Sequence, residues 1–493
     1  MIPLRAPDAD GLPFPRSPRA RLALIVAACG FLVLCGWLVS ARHAAALAAL
    51  VVATGFAAIV LVEDAVLYAL PLATILPNLG LDIPGPFAVL TWDAFAVGFV
   101  GGVVARRVLR RRALVAVDPW FRRLLLLFVA AAAASLIQGA LAGAGVFMYG
   151  LKELIRLVEV VLILVALAGE LTDADRVLRL ARNLAIAGTV SLLVALAGHF
   201  WFTDFFYRLM NLKRQYVLLG TFRPRMASTA GNIAETGQFF LMVLGLTAYF
   251  AARGPARARP LALLATIGFL VGILLTYNKG TWLALLIGTG IAVLRGGLRH
   301  RVPAFLAVAA MLAGVLLLVQ VRPEGKIDVV ATDLSAVTRS SGLIRFQRWV
   351  ALQNVLTRRP LLGVGYNTFA FVYGEYSVEP GAGHPYGHPH DLYVDVLAGT
   401  GLLGFAAFVA LGARLLRISR NNVRDAPDPR LRGLSFALHV VFWFFLAGNA
   451  TASFLFKPTH PAYLMAAVAA MILAIRRFTI DAQRPESPAS GPA

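Results

Sequence analysis

Long apolar runs, separated by short connections rich in arginine, glycine or proline, set the pattern of this chain. A bilayer-crossing helix needs about 20 mostly apolar residues. Runs near 22–40, 43–62, 65–79, 87–105, 120–142, 151–169, 183–202, 234–252, 261–277, 280–295, 303–321, 392–413, 433–449 and 461–475 approach or meet that length. Pro71 and Pro77 interrupt the third, which reads as a broken or re-entrant segment. The pattern predicts an all-α polytopic membrane protein of about 12 to 14 transmembrane helices. Its longest polar interval, 322–391, is the one stretch able to form a lobe outside the membrane.

Composition removes the alternatives. The 493 residues are 59% hydrophobic and 14% charged, whereas a soluble domain is about 45–50% apolar and about 25% charged. A soluble globular, disordered or collagen-like chain is therefore excluded, and so is a disulfide scaffold. Cys29 and Cys35, six positions apart in the first run, do not reveal a redox compartment. The net charge of +21 resembles that of a nucleic-acid binder, but the basic residues cluster between apolar runs. Arg106, Arg107 and Arg110 to Arg112 make one such cluster, and Arg414, Arg417, Arg420 and Arg424 another. The positive-inside rule accounts for them and predicts cytoplasmic N- and C-termini. The organisation read from the chain is a disordered cytoplasmic lead at 1–20 and a transmembrane bundle at 21–321. An outer lobe at 322–391, C-terminal transmembrane helices at 392–476 and a cytoplasmic tail at 477–493 follow.

Ionisable groups in or beside the hydrocarbon are costly and mark functional sites or internal pairs. Four groups fall on the outer side. Arg223 and Arg225 precede a span in TFRPRMASTAGNIAETGQFF, and Lys279 sits at a tight turn in TYNKGTW. Arg345 and Arg348 lie on an amphipathic helix in SGLIRFQRWVALQNVLTRRP, whose apolar positions are Ile344, Trp349, Leu352 and Leu356. His384, His388 and His390 lead into the span that starts near 392. Grouped near one membrane face, these residues suit an anionic headgroup. Each also has a purely structural explanation, since arginine snorkels to lipid phosphate and lysine anchors an interface. Gly363, Gly365, Gly401 and Gly404 read as turn or helix-packing residues. The HPH sequence places two histidines around Pro389, a poor pair of metal ligands, and no zinc-enzyme carboxylate–histidine spacing accompanies it. No nucleotide-binding loop or serine-hydrolase elbow is present, so neither ATP-driven transport nor that hydrolase chemistry is expected. A secondary transporter or flippase would need charges near the midplane and an internal repeat, and the two halves show no convincing repeat.

Taken in order, RMASTAGNIAETG, TYNKGTW, RFQRWVALQNVLTRRPLLGVGYNTF and HPHDLYVDVLAGTGLLGF resemble the O-antigen ligase and O-antigen polymerase superfamily. The resemblance covers roughly residues 210–410. It implies a GT-C-like membrane glycosyltransferase in a bacterial inner membrane with its site facing the periplasm. The implied reaction is an inverting, metal-independent transfer of a glycan from undecaprenyl pyrophosphate to an acceptor hydroxyl. No cofactor is expected; the partners are the lipid-linked donor, a lipid A-core or glycan acceptor and membrane lipids. By this resemblance His390 is the catalytic base. Arg225, Lys279, Arg348, Arg223, Asn232 and His388 bind the pyrophosphate or substrate. The chain departs from the family in two places. Asn278-Lys279 replaces a Ser-Arg pair, keeping the charge but losing the guanidinium fork. Asp391 stands where asparagine is commoner. A ligase acting on lipid A-core is the first expectation, a repeat-unit polymerase the second, and a transporter of polysaccharide or lipid-linked sugar the third.

Overall fold

The computed structural model describes residues 44–62, 64–75, 80–81, 89–110, 118–201, 216–219, 221–295, 347–377, 391–453 and 459–483. The first and eleventh apolar runs, near 22–40 and 303–321, lie outside these residues. Within them the chain is an all-α polytopic membrane protein carrying two small antiparallel hairpins. The helices are α1 (Ala44–Leu61), α2 (Val66–Ala73), α3 (Thr91–Leu109), α4 (Pro119–Ala142), α5 (Ala144–Glu170) and α6 (Ala174–Phe200). Then follow α7 (Ile233–Arg253), α8 (Arg259–Leu275), α9 (Lys279–Arg295), α10 (347–358) and α11 (Phe369–Tyr376). The last three are α12 (Leu392–Asp425), α13 (Pro429–Asn449) and α14 (His460–Gln483). Among the described residues, α4, α6, α7, α12, α13 and α14 are long and apolar enough to cross a membrane.

The hairpins were not anticipated. In one, β1 (Gly80–Leu81) pairs with β2 (Val89–Leu90), and in the other β3 (Tyr216–Leu219) pairs with β4 (Thr221–Pro224). At about 1.5 Å per residue, the eight-residue α2 is too short to cross a hydrocarbon core about 30 Å thick. It contains Pro71 and ends at Ala73, consistent with the break read from the prolines.

Burial inside the protein tends to fall as hydropathy rises. In α7 and α14, 78% of the most apolar window is buried, against 33% in α4. The α4 window has the highest mean hydropathy of the six, 2.2. Leu126, Leu127, Ile137 and Leu141 of α4 are exposed, the signature of a helix that faces lipid. The central helices are joined by polar contacts across their backbones. Asn422 donates to the Ile472 carbonyl at 2.8 Å and Gln238 to the Phe444 carbonyl at 3.3 Å.

Aspartate or asparagine caps the N-terminus of many helices. Asp118 accepts from Phe121 N–H ahead of Pro119, Asp173 from Arg176 N–H, and Asp428 from Arg430 N–H ahead of Pro429. At this same end of the bundle the arginines of the positive clusters act as staples. Glu170, at the C-terminus of α5, is shared by Arg106 and Arg107 of α3, and all three are buried. Asp64 bridges Arg176 and Arg179 of α6 at 2.9 and 2.7 Å. Asp118 holds Arg414 of α12 at 2.7 Å, and Arg477 of α14 donates to the Ala168 and Leu171 carbonyls.

Breaking a buried pair from one side leaves a charge without compensation, at a cost of about 3–5 kcal/mol. Glu170→Gln is therefore expected to lower the Tm of the detergent-solubilised protein sharply, whereas Asp175→Asn, at an exposed pair with Arg430, should leave it nearly unchanged. Asp118 generates a pH dependence. Burial raises its carboxyl, but the hydrogen bonds from Arg414 and Phe121 N–H and the Arg414 charge together hold it below its ordinary value. Its contribution to stability is thus complete above the ordinary carboxylate value of about 3.9 and is lost as pH falls through the lower folded value. The Tm difference between wild type and Asp118→Asn should be constant at neutral pH and shrink in that acidic window.

Candidate active site

The described residues among those singled out for chemistry lie toward the end of the bundle opposite the arginine staples. There α7, α9, α12 and α14 begin. Packing ties their starts together: Tyr393 of α12 donates to the Leu446 carbonyl near the end of α13 at 2.9 Å. A Cβ on Gly280 at the start of α9 would meet Thr451 just beyond α13. His460 at the start of α14 packs edge-on against Phe239 of α7, with centroids 6.0 Å apart.

Arg225 and Lys279 come together at the turn between α8 and α9. The guanidinium of Arg225 donates from Nε to the Thr276 carbonyl at 3.0 Å and from Nη2 to the Tyr277 carbonyl at 2.7 Å. Met226 N–H adds a bond to the Leu275 carbonyl at 3.0 Å. Leu275 is the last residue of α8, Thr276 its C-cap and Tyr277 the residue beyond, so Arg225 caps the end of the helix with two of its five donors. Tyr277 turns the chain through the left-handed region at φ 49°. Asn278 Oδ1 then accepts from Gly280 and Thr281 N–H, opening α9 with Lys279 as its first residue. Lys279 is exposed and forms no ion pair among the described residues.

Asn232 is the N-cap of α7. Its Oδ1 accepts from Ala234 and Glu235 N–H at 2.9 and 3.2 Å, and Glu235 returns a bond to Asn232 N–H, closing a capping box. The side chain assigned to substrate by resemblance is thus engaged in helix capping. Arg223 lies on β4 in register with Val217. Asp391 caps α12, accepting from Tyr393 N–H at 2.9 Å, which gives the replacement of asparagine a structural function that either residue can serve. His384, His388 and His390 lie outside the described residues, as does Arg345.

The amphipathic helix differs from its expected disposition. Ala351, Leu352 and Val355 of α10 are buried against Val364, Phe369, Val372, Tyr376, Val394 and Ala398. Arg348 is on this packed side at 8% exposure, whereas Trp349 is 54% exposed. The sequence reading put tryptophan on the apolar face and arginine on the polar one. The reason is geometric: at 100° per residue, position 348 falls in line with 352 and 355, and 349 does not. Arg358 stacks on the Tyr376 ring at 5.4 Å and Arg359 binds Gln138 of α4, fixing α10 to its neighbours.

Two segments of this region interlock through their backbones. α12 is broken at Gly401, which adopts φ 63°. The 360–365 turn fills the break. Val364 and Gly365 N–H donate to the Ala398 and Gly399 carbonyls at 2.9 and 3.0 Å. In return, Leu402 and Leu403 N–H donate to the Pro360 and Leu361 carbonyls at 2.8 and 3.3 Å. Gly363 is left-handed at φ 62°, and a Cβ there would lie 2.1 Å from the Ala398 carbonyl oxygen.

A second polar cluster was not singled out from the sequence. Arg156 of α5 donates to Glu153 at 2.8 Å and to Asp93 of α3 at 3.4 Å. Beside Asp93, Trp92 stacks on Tyr463 of α14 at 4.2 Å and meets His460 edge-on at 5.1 Å. The signal was present in KELIRLVEV: Glu153, Arg156 and Glu159 recur every third residue along one side of a largely apolar helix.

Residues 261–409 match the family model described as O-antigen ligase. That segment runs from the start of α8 through the break in α12, and the match supports a relationship to the O-antigen ligase and polymerase superfamily. It includes Lys279, Arg348, His388 and His390, while Arg223, Arg225 and Asn232 precede it. The family links it to membrane ligases and polymerases acting on lipid-linked glycans. No curated protein matches the chain.

The interlock makes a sharp prediction. Gly363→Ala places a side chain in a left-handed conformation that disfavours it by about 1–2 kcal/mol, on top of the clash with Ala398. It should lower the Tm by several degrees, whereas Gly374→Ala, where a Cβ meets nothing within 4 Å, should not.

Proposed function

We propose that this protein is a membrane glycosyltransferase that moves a glycan from undecaprenyl pyrophosphate to an acceptor hydroxyl at the periplasmic face. We assign it to O-antigen ligation on lipid A-core, with repeat-unit polymerisation as the alternative. The observation that carries the reading is the joining of Arg225, which lies before the matched segment, to the turn that carries Lys279 inside it. A cationic pair anchored at helix ends suits a diphosphate leaving group, with the N-terminus of α9 adding its dipole. The arginine-stapled end is then cytoplasmic, in keeping with the positive-inside rule.

In the proposed reaction the acceptor oxygen attacks the anomeric carbon while the bond from that carbon to the pyrophosphate oxygen breaks. His390 takes the proton of the acceptor hydroxyl. Arg225 and Lys279 meet the charge that develops on the departing diphosphate, a role that needs no metal. Arg348, Arg223, Asn232 and His388 complete the donor site. A single displacement inverts the anomeric centre. Asp391, next to His390, fixes the start of α12 through its cap and thereby supports the base.

The test is transfer from a purified lipid-linked donor in the presence of chelator. His390→Ala should lower the rate by about 10²–10⁴-fold and Arg225→Ala by about 10²–10³-fold, at unchanged membrane level. Wild-type transfer in both variants would end this reading, and loss of activity with chelator would end its metal-free form. Deletion separates the two acceptor classes. Loss of long-chain lipopolysaccharide with retained lipid-linked polymer marks a ligase, and accumulation of single repeats marks a polymerase.

A further inference from the structure

At the stapled end, α12 carries arginines that the staples do not use. Arg414 is held by Asp118. Arg417, Arg420 and Arg424 form no ion pair with any described residue. At 100° per residue these three and Asn421 fall within an arc of about 100° on one side of the helix. They line a cavity of about 490 Å³ whose opposite wall is His439 and Trp443 of α13. That volume is in the range of about 300–1,000 Å³ typical of ligand clefts.

The wall opposite the arginines is rigid and uncharged. His439 is buried, and its Nε2 accepts from the indole N–H of Trp443 at 3.2 Å. The ring proton therefore sits on Nδ1, which faces Ser419 Oγ at 3.2 Å and donates to it. With that imidazole neutral, the charge of the cavity is that of the three guanidiniums. Like charges collected around one space repel, and none of the described residues lining it is a carboxylate. The guanidinium fork matches phosphate oxygens, and Trp443 supplies the amphipathic surface that favours a membrane–water boundary.

We propose that this cavity binds a phosphate-bearing anion, and that its occupant is the headgroup of an anionic phospholipid from the adjoining leaflet. The site lies at the opposite end of α12 from the candidate transfer site and bridges α12 to α13.

The test compares full-length wild type with the Arg417→Gln, Arg420→Gln, Arg424→Gln triple variant in detergent. Binding of phosphatidylglycerol, phosphatidylcholine and inorganic phosphate is followed by native mass spectrometry and thermal shift. Phosphatidylglycerol is expected to bind and stabilise wild type, less so as salt rises. Its affinity should fall on the order of a hundredfold in the triple variant. Should inorganic phosphate alone produce the whole effect, the phosphate site stands and its source is soluble rather than lipid. Equal binding of phosphatidylcholine, or wild-type affinity in the triple variant, overturns the proposal. The single Arg420→Gln, which leaves the Arg414 staple intact, gives a check independent of the triple variant's folding. About fivefold weaker binding is expected, and an unchanged affinity would again overturn the assignment.

Discussion

In a membrane a backbone N–H or C=O without a partner is expensive, and the break at Gly401 exposes such groups on both sides. The 360–365 turn supplies two donors and two acceptors to the interrupted ladder, so the break is satisfied within the protein. This exchange sets the angle between the short first part of α12, which carries the Asp391 cap, and its long second part. It also anchors α10 and α11, whose apolar residues close over Val394 and Ala398. The matched family segment contains both halves of the exchange. Much of the local architecture around the candidate site follows from those four hydrogen bonds.

The two ends of the bundle solve different problems. At one end, carboxylates neutralise arginines of α3, α6 and α12, and Arg477 of α14 donates to carbonyls at the end of α5, tying these helices together. At the other, Arg225 is held by the carbonyls of the turn that carries Lys279, and Lys279 forms no ion pair among the described residues. Around the cavity between α12 and α13, Arg417, Arg420 and Arg424 form no such pair with any described residue.

Much of the helical framework was legible in the sequence because lipid imposes a simple length rule. The runs at 234–252, 261–277 and 280–295 agree with α7, α8 and α9 to within a few residues at each end. Glycines 363, 365 and 401 were readable as turn or packing residues, and each proves to have positive φ. Less was legible where tertiary pairing decides. The run read as 392–413 extends to Asp425, because polar Ser419 and Asn422 are buried by bonds to α13 and α14 that hydropathy does not see. The basic clusters disclosed a sidedness rule but not the carboxylates they grip, since Asp64 and Glu170 come from distant parts of the chain. Arg348 was misplaced because its face was judged by polarity rather than by register with Leu352 and Val355. Of the candidate site, Arg225 and Lys279 were legible as charges near one face, but the bonds that tie Arg225 to the turn carrying Lys279 go to the Thr276 and Tyr277 carbonyls, which carry no sequence signal.

The glycine-centred exchange also constrains chain length. Its donors and acceptors alternate between 360–365 and 398–403, so the two stretches must advance in step, like the teeth of a zip. Adding or deleting one residue in either would shift every later pairing and leave buried backbone groups at the break in α12 without partners. Variation in length among related chains should therefore fall outside these two stretches, even where the residues within them change.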